Sequence, residues 1–175
     1  FDSPLSGSYA MYHGGTTLED AAECVNAAAT ISMQAYATTK TLAAFAGTWG
    51  QTTKALHSPM GIGAFDDFLS TLAELSGRPI PPSIRAERGR AVDAATDAHP
   101  YFHGRRVSLF GDPDLMLGLV RFLLEMGAEP VHIVSTNGTK KWAAQMQALL
   151  ASSPYGVSGQ VHAGRDLWHL RSLLV

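Results

Sequence analysis

The chain has 175 residues, of which 46% are hydrophobic and 16% are charged, and its formal net charge is -2. This composition excludes a disordered chain and allows one substantial core, or two small α/β units that share an interface. It also lacks the basic surface that nucleic-acid binding requires, so nucleic acid is not an expected partner.

The first elements of the chain are predicted from local signals. Residues 1–4 carry no initiator Met, basic stretch or apolar signal segment, so we expect a start that is cut from a longer protein. Thr17 is followed three residues later by Asp20, which is typical of a capping box and predicts a helix to about Asn26.

The chain up to residue 82 alternates short strand patterns with helical ones. The segments 30–34 and 54–57 suit strands, and residues 38–49 suit a helix that stops near Gly50. Apolar residues then recur at helical spacing up to Leu75, before a stop at Gly77 and a proline-rich breaker. We therefore predict a partial α/β lobe over residues 1–82.

A polar segment follows and separates this lobe from the rest of the chain. Residues 83–97 have a modest apolar side and many charges, which predicts a solvent-facing helix that Pro100 disrupts. We interpret residues 83–104 as a bridging helix and linker.

The last part, residues 105–175, has the pattern of a βαβαβ unit. Strands and helices are predicted in the order 107–110, 113–126, 131–134, 140–150, 159–162 and from 166 onward. Asp112 is the expected N-cap of the first of these helices and Gly127 its end; that helix is apolar on most sides and leaves Arg121 and Glu125 for water. Asp166 is the expected cap of the last helix. This alternation predicts parallel strands in a Rossmann-like lobe, which is incomplete because the chain stays apolar to its last residue.

The loop 111–114 lies where doubly wound sheets place ligands, between a strand and a helix N-terminus. Two carboxylates, Asp112 and Asp114, would repel a phosphate there, and helix capping together with the helix dipole accounts for both. Neither a G-x-G-x-x-G fingerprint nor a Walker loop is present. The turn 135–138 could offer hydroxyls to a ligand, but it is equally explained as a helix start. We assign no cofactor-binding residue.

Asp93, Asp97, His99 and His103 form the one cluster of metal-ligand residue types in the sequence. Because Pro100 is expected to end the helix, the two histidines are not expected to share a helical face. No metal-ligating residue is therefore assigned.

The other histidines and the cysteine are interpreted as structural. His57, His132 and His162 lie in or beside predicted strands, where satisfied structural histidines are common. Cys24 has no nearby histidine in sequence to activate it, so no catalytic residue is assigned. As the single cysteine of the chain, it excludes an internal disulfide and favours a reducing compartment.

A second helix carries a further apolar pattern. Trp142 and Met146 follow helical spacing together with Leu149 or Leu150, and are expected in the core, whereas Lys140 and Lys141 face solvent. No apolar run is long enough to span a bilayer, so no membrane association is expected.

Several segments of the chain form a specific series in order and spacing. They are Glu87-Arg88-Gly89-Arg90, Val92-Asp93, Asp97, His99, His103-Gly104, Gly111-Asp112-Pro113-Asp114, Leu123-Leu124-Glu125, Glu129-Pro130-Val131-His132-Ile133, Ala151-Ser152-Ser153-Pro154-Tyr155-Gly156 and Asp166-Leu167-Trp168-His169-Leu170-Arg171-Ser172-Leu173. This series resembles the β subunit of nitrogenase molybdenum-iron proteins, of the nitrogenase component 1 family. The resemblance extends from about Tyr12 to Val175 and is densest after Leu75.

The resemblance implies Rossmann-like parallel-sheet βαβ units, truncated here at both ends, and a heterotetramer with the nitrogenase α subunit. It also implies that the complete subunit helps hold the iron-sulfur P-cluster, through cysteines that precede the matched region. Cys24 corresponds to none of those cysteines. No catalytic, cofactor-binding or metal-ligating residue therefore maps onto this chain.

The implied activity belongs to the whole enzyme, in the cytoplasm. The nitrogenase iron protein hydrolyses ATP and delivers electrons, the P-cluster relays them, and a cofactor in the α subunit reduces dinitrogen to ammonia. The isolated chain is expected to be inactive. Alternatives are the β subunit of a vanadium or iron-only nitrogenase, the related cofactor-assembly scaffold, a ligand-binding α/β domain with its site at the loop 111–114, and a structural interaction module.

Overall fold

The computed structural model describes residues 17–175; the expected cut at residues 1–4 lies outside them. Helices and strands alternate along the described chain, as the sequence predicts. In order they are α1 (Leu18–Glu23), β1 (Ala29–Ser32), α2 (Thr39–Trp49), β2 (Thr52–Ala55), α3 (Ile62–Ser76), α4 (Pro82–Phe102), β3 (Arg106–Phe110), α5 (Pro113–Glu125), β4 (Glu129–Ser135), α6 (Lys140–Ala151), β5 (Gln160–Ala163) and α7 (Leu167–Leu174), with a 3-10 turn over Cys24–Asn26.

The strands form two parallel sheets. In the first, β1 pairs with β2 and Ala29 lies opposite Thr52. In the second the order is β3-β4-β5, with Arg106 opposite Glu129 and His132 opposite Gln160. The predicted α/β class with parallel strands is confirmed. Because neighbouring parallel strands point the same way, the loops that follow them gather at one edge of each sheet.

The core is built around α5, which is apolar on most of its surface. Its side chains pack against β4 and α6 in one cluster of buried residues: Met116, Leu117, Val120, Leu124, Ile133, Trp142, Met146 and Leu150. Trp142 and Met146 are fully enclosed, which confirms their predicted place in the core. The other side of α5 approaches the segment after β2 so closely that a Cβ on Gly118 would lie 3.0 Å from the Ser58 carbonyl oxygen.

The capping predicted at Thr17 and at Asp166 is confirmed. Thr17 and Asp20 form a reciprocal capping box at the start of α1, and the Asp166 carboxylate accepts the His169 backbone N–H at 2.9 Å at the start of α7. The helices α2 and α3 end at Gly50 and Gly77, whose φ angles are +64° and +65°.

The predicted disruption of the polar helix by Pro100 is wrong. Helix α4 continues through Pro100 to Phe102. A proline removes one helical hydrogen bond, but here it lies in the last turn of a helix that has no buried residue, where water can satisfy the freed carbonyl. Arg88 fixes α4 to α3 through two 2.6 Å hydrogen bonds to the Asp66 carboxylate.

Two charged residues of α5 that the periodicity directs toward water contact α3 instead. Glu125 accepts the backbone N–H groups of Ile62 and Gly63 at 2.8 and 3.3 Å, and Arg121 donates to Asp67 at 2.8 Å. Because α3 starts without a side-chain cap of its own, Glu125 supplies the carboxylate that its N-terminus lacks.

Candidate functional site

The candidate site lies between the two sheets, at the carboxyl ends of their strands. Four residues from four segments meet there: Tyr36 after β1, His57 after β2, Asp114 in the first turn of α5, and Gln145 on α6. We name these four residues the polar clamp. Their contacts join parts of the chain that are 77 to 109 residues apart in sequence.

Asp114 is the buried member of the clamp, with 6% of its surface exposed. One carboxylate oxygen accepts the backbone N–H of Tyr36 at 2.9 Å, and the other accepts that of Ala37 at 3.0 Å. The interpretation of Asp114 as a residue explained by helix capping and the helix dipole is therefore incomplete. Its position favours a negative charge, and its two oxygens hold the loop after β1 against α5.

A hydrogen-bonded chain runs beside Asp114. The Tyr36 hydroxyl donates to the Gln145 side-chain carbonyl at 2.6 Å, and the Gln145 amide donates to His57 Nε2 at 2.8 Å. Since His57 Nε2 accepts, its proton resides on Nδ1, which is buried and lacks a partner. His57 is therefore not the fully satisfied histidine that the sequence predicts.

The surroundings favour the neutral forms of both titratable rings. Burial lowers the pKa of His57; the Asp114 charge opposes this effect and Arg121 adds to it. Burial also raises the pKa of the Tyr36 hydroxyl, and the Asp114 charge raises it further. At neutral pH the rings of Tyr36 and His57 are thus both neutral beside the Asp114 carboxylate. Their hydrogen bonds orient the loop after β1 and the segment after β2 against α5 and α6.

The two loops that the sequence singles out lie side by side next to the clamp. Asp112 is the N-cap residue of α5, but its side chain makes no capping hydrogen bond and instead meets the Asn137 amide at 3.5 Å. Asp112 therefore lies at the predicted N-cap position, but it does not form the predicted capping hydrogen bond. The turn 135–138 leads into α6, whose first turn is capped by Thr139, in agreement with a helix start.

The sequence cluster around α4 is brought together only in part. Because α4 continues through Pro100 to Phe102, its C-cap residue His103 lies one turn after His99, and the two rings stack with centroids 5.1 Å apart. Asp93 and Asp97 are exposed on the same helix. Within residues 17–175, no group of three or more His, Cys, Asp or Glu side chains is arranged to hold a metal ion.

The chain's donor set does not fit an iron-sulfur cluster. Such clusters are held by several cysteine thiolates, and this chain has one cysteine. Cys24 is half-buried and its thiol donates to the Asp20 carbonyl at 3.4 Å, as a packed structural cysteine does.

Two clamp residues, Tyr36 and Gln145, were not singled out by the sequence. Tyr36 follows a strand, so its place at the carboxyl edge of a parallel sheet was a usable signal. Gln145 is one polar residue on the exposed side of an amphipathic helix, and no sequence pattern distinguishes it.

A family model described as "Nitrogenase component 1 type Oxidoreductase" matches residues 4–175. The chain belongs to this family. It is 54% identical over 174 residues to the nitrogenase molybdenum-iron protein beta chain of Bradyrhizobium diazoefficiens, and 51% identical over 173 residues to that of Rippkaea orientalis. The corresponding chain of Azotobacter vinelandii is 49% identical over 173 residues.

These matches cover 99% of this chain but only 33 to 34% of each relative, so the chain spans about a third of the length of the curated relatives that it matches. A solved structure described as nitrogenase Cp1 at pH 6.5 superimposes with a TM-score of 0.88 at 32% sequence identity. That match covers 98% of this chain and 37% of the solved one, and it shows that the fold is that of nitrogenase component 1.

None of the helices within residues 17–175 is both long and apolar enough to cross a lipid bilayer.

Proposed function

We propose that this chain is a part of the β subunit of a nitrogenase molybdenum-iron protein. In this proposal the complete subunit pairs with an α subunit in an α2β2 assembly in the cytoplasm and helps hold the P-cluster. The cluster relays electrons from the iron protein to the cofactor of the α subunit, where dinitrogen is reduced. The observation that carries the proposal is 49 to 54% identity, over 99% of the chain, to relatives named as beta chains of this enzyme.

In this proposal residues 17–175 position the two sheets and contact other subunits, because their side chains do not fit the cluster. The polar clamp fixes the β1–β2 sheet against the β3–β5 sheet. Large apolar side chains remain on the surface of this chain; Tyr101 on α4 is 76% exposed and Trp168 on α7 is 72% exposed. Exposed aromatic residues of this size are typical of surfaces that another chain or segment covers, which supports a role in subunit contacts.

The division of the chain belongs to the same proposal. Residues 1–82 form a partial α/β lobe, residues 83–104 a bridging helix and linker, and residues 105–175 an incomplete Rossmann-like lobe. On this reading the clamp is a contact between the first and the last of these parts.

A segment exchange tests the proposal directly. The matching third of the Azotobacter vinelandii beta chain is replaced by this chain, and the strain is assayed for assembly with the α subunit and for growth on dinitrogen. The control reinserts the native segment through the same junctions. We expect the chimera to assemble and to retain a measurable fraction of control activity; failure to assemble, while the control assembles, contradicts the proposal.

A second experiment concerns the chain by itself. We expect the purified 175-residue chain to contain no stoichiometric iron or sulfide and to reduce no substrate. An iron-sulfur signal at one cluster per chain would contradict the inference that the residues of this chain do not fit a cluster. Molybdenum and vanadium analysis of the enzyme purified from the organism that encodes this chain distinguishes the molybdenum enzyme from its vanadium and iron-only counterparts.

A further inference from the structure

The turn between β4 and α6 contains a pair of residues whose chemistry the polar clamp does not use. Asn137 is exposed in this turn and is followed directly by Gly138. The chain has one other asparagine, Asn26, which is also exposed but is followed by Ala27. An asparagine before a glycine is prone to lose its side-chain amide, because glycine has no Cβ to hinder attack by its own backbone nitrogen. The two asparagines therefore differ in the neighbour that controls this reaction.

The reaction joins atoms of Asn137 and Gly138 and needs only water besides. The backbone nitrogen of Gly138 attacks Cγ of Asn137, and a C–N bond forms. The bond from Cγ to Nδ2 breaks, and Nδ2 leaves as ammonia with the proton that the Gly138 nitrogen gives up. The product is a five-membered succinimide ring. Water then opens the ring at Cγ to give aspartate, or at the main-chain carbonyl carbon to give isoaspartate.

The packing of α6 requires glycine at position 138. A Cβ on Gly138 would lie 2.7 Å from Cε3 of the Trp142 ring and 3.2 Å from Cβ of Ser135. The Trp142 ring is fully enclosed in the core, and its indole N–H donates to the Pro113 carbonyl at 3.0 Å. This ring cannot move aside without breaking that bond. The core therefore keeps, directly after Asn137, the residue that favours ring closure.

Weak hydrogen bonds hold the reacting atoms of the turn. The Asn137 amide nitrogen meets the Asp112 carboxylate at 3.5 Å, which is the long limit of a hydrogen bond. The Gly138 N–H donates to the Ser135 carbonyl at 3.3 Å. Both bonds are longer than the usual distance of about 2.9–3.0 Å, so the side chain and the attacking nitrogen are held loosely.

Asn26 is an internal control for this site. The N–H of the next residue, Ala27, donates to the Cys24 carbonyl at 3.3 Å, the same length as the bond of Gly138. The Asn26 amide, however, donates to the Glu23 carboxylate at 2.7 Å, and the Cβ of Ala27 hinders the attack on Cγ. The two sites thus match in exposure and in the backbone bond, and they differ in the two features that control the rate.

We propose that Asn137 is a modification site, at which the folded protein deamidates spontaneously and accumulates aspartate and isoaspartate as it ages. The product places a carboxylate where the Asn137 amide now faces the Asp112 carboxylate, so the contact between the loops after β3 and β4 becomes a repulsion. Isoaspartate also adds one carbon to the main chain, two residues before Thr139, the N-cap of α6.

Peptide mapping of the natively assembled protein tests the site. The protein is incubated at neutral pH in sterile buffer, and samples are taken over several weeks. Mass spectrometry measures the amide-to-acid conversion in the peptides that contain Asn137 and Asn26. Isoaspartate is detected by methyl transfer from S-adenosylmethionine with a protein isoaspartate methyltransferase. We expect conversion at Asn137 to be at least tenfold faster than at Asn26, with isoaspartate as the larger product. Equal rates, or a faster reaction at Asn26, overturn the proposal.

Variants assign the isoaspartate signal to the turn. Asn137→Gln keeps the amide but would have to close a larger ring, so we expect the isoaspartate of this peptide to disappear. Its matched control is Asn26→Gln, which should leave conversion at Asn137 unchanged. Isoaspartate that persists in the peptide of the Asn137 variant refutes the assignment, as does its loss in the control. If the Asn137 variant does not assemble, the comparison of the two asparagines in the unmodified sequence decides alone.

Discussion

The contact of Asp114 with the loop after β1 gives the sharpest test of the polar clamp. Asp114→Asn keeps the size of the side chain but removes its charge, and its new amide group would face one of the N–H groups of Tyr36 and Ala37, which now bond at 2.9 and 3.0 Å. A hydrogen bond to a charged group contributes about 1.5–3 kcal/mol, and the α5 dipole adds about 0.3–1 kcal/mol. We expect the free energy of unfolding to fall by about 2–4 kcal/mol.

Two measurements on the purified protein report this loss. Urea unfolding, with a slope of roughly 2 kcal/mol per molar for a chain of this size, should show a midpoint lowered by about 1–2 M. Amide exchange gives the local signature. The N–H groups of Tyr36 and Ala37 should lose protection by about thirtyfold or more relative to those of β4, since 1.4 kcal/mol corresponds to a factor of ten.

Asp112→Asn is the matched control, because Asp112 lies two residues earlier, is exposed and makes no capping hydrogen bond. Asparagine caps a helix about as well as aspartate, so this variant should change stability by less than about 0.5 kcal/mol. Equal effects of the two substitutions, or unchanged exchange at residues 36 and 37 in the Asp114 variant, would refute the assignment of Asp114 as the residue that holds the loop.

Three further predictions address close packing, helix capping and pH. Gly159→Ala should destabilise the protein by about 1–3 kcal/mol in urea unfolding, because a Cβ there overlaps the Pro130 carbonyl oxygen. Its control is Gly47→Ala, in open space within α2, which should stabilise the protein by about 0.5–1 kcal/mol. Glu125→Gln should cost about 1 kcal/mol, and a loss that vanishes in 1 M salt would confirm its electrostatic origin; no loss at low salt contradicts the capping role. Because the folded state lowers the pKa of His57, the unfolded state binds more protons just below pH 6.5. Stability should therefore fall as pH decreases from about 6.5 toward that lowered pKa, by up to about 1.4 kcal/mol per pH unit, and His57→Gln should flatten the profile.

Most of the secondary structure was predictable because its signals are local. A helix start such as Thr17 with Asp20, or a stop such as Gly77, depends on neighbours within one turn, and these contacts form in the structure as the sequence indicates. The parallel arrangement followed from the alternation of strands and helices. Pro100 shows the limit of a local rule: it breaks helix interiors, but its cost is small in the last turn of an exposed helix.

The candidate site was less predictable because its contacts are distant in sequence. Asp114 and Tyr36 are 78 residues apart, and the local explanation of Asp114 as a favourable charge at a helix start was already sufficient. Glu125 was directed to solvent by periodicity, which describes one helix and not the neighbour that covers it. In both cases a carboxylate accepts backbone N–H groups of a distant segment. A sequence pattern within one helix does not show such a contact.

Asp114 and Glu125 also show that polar residues of this chain have a structural role that does not depend on binding a cluster. A purely apolar interface between the two sheets would tolerate small sliding movements, because dispersion contacts are not directional. Asp114 and Glu125 each accept two backbone N–H groups, so each contact fixes a distance and an orientation at once. For a chain proposed to belong to the nitrogenase β subunit, this directional fixation of α5 against the loop after β1 and against α3 is the contribution that its described residues can make.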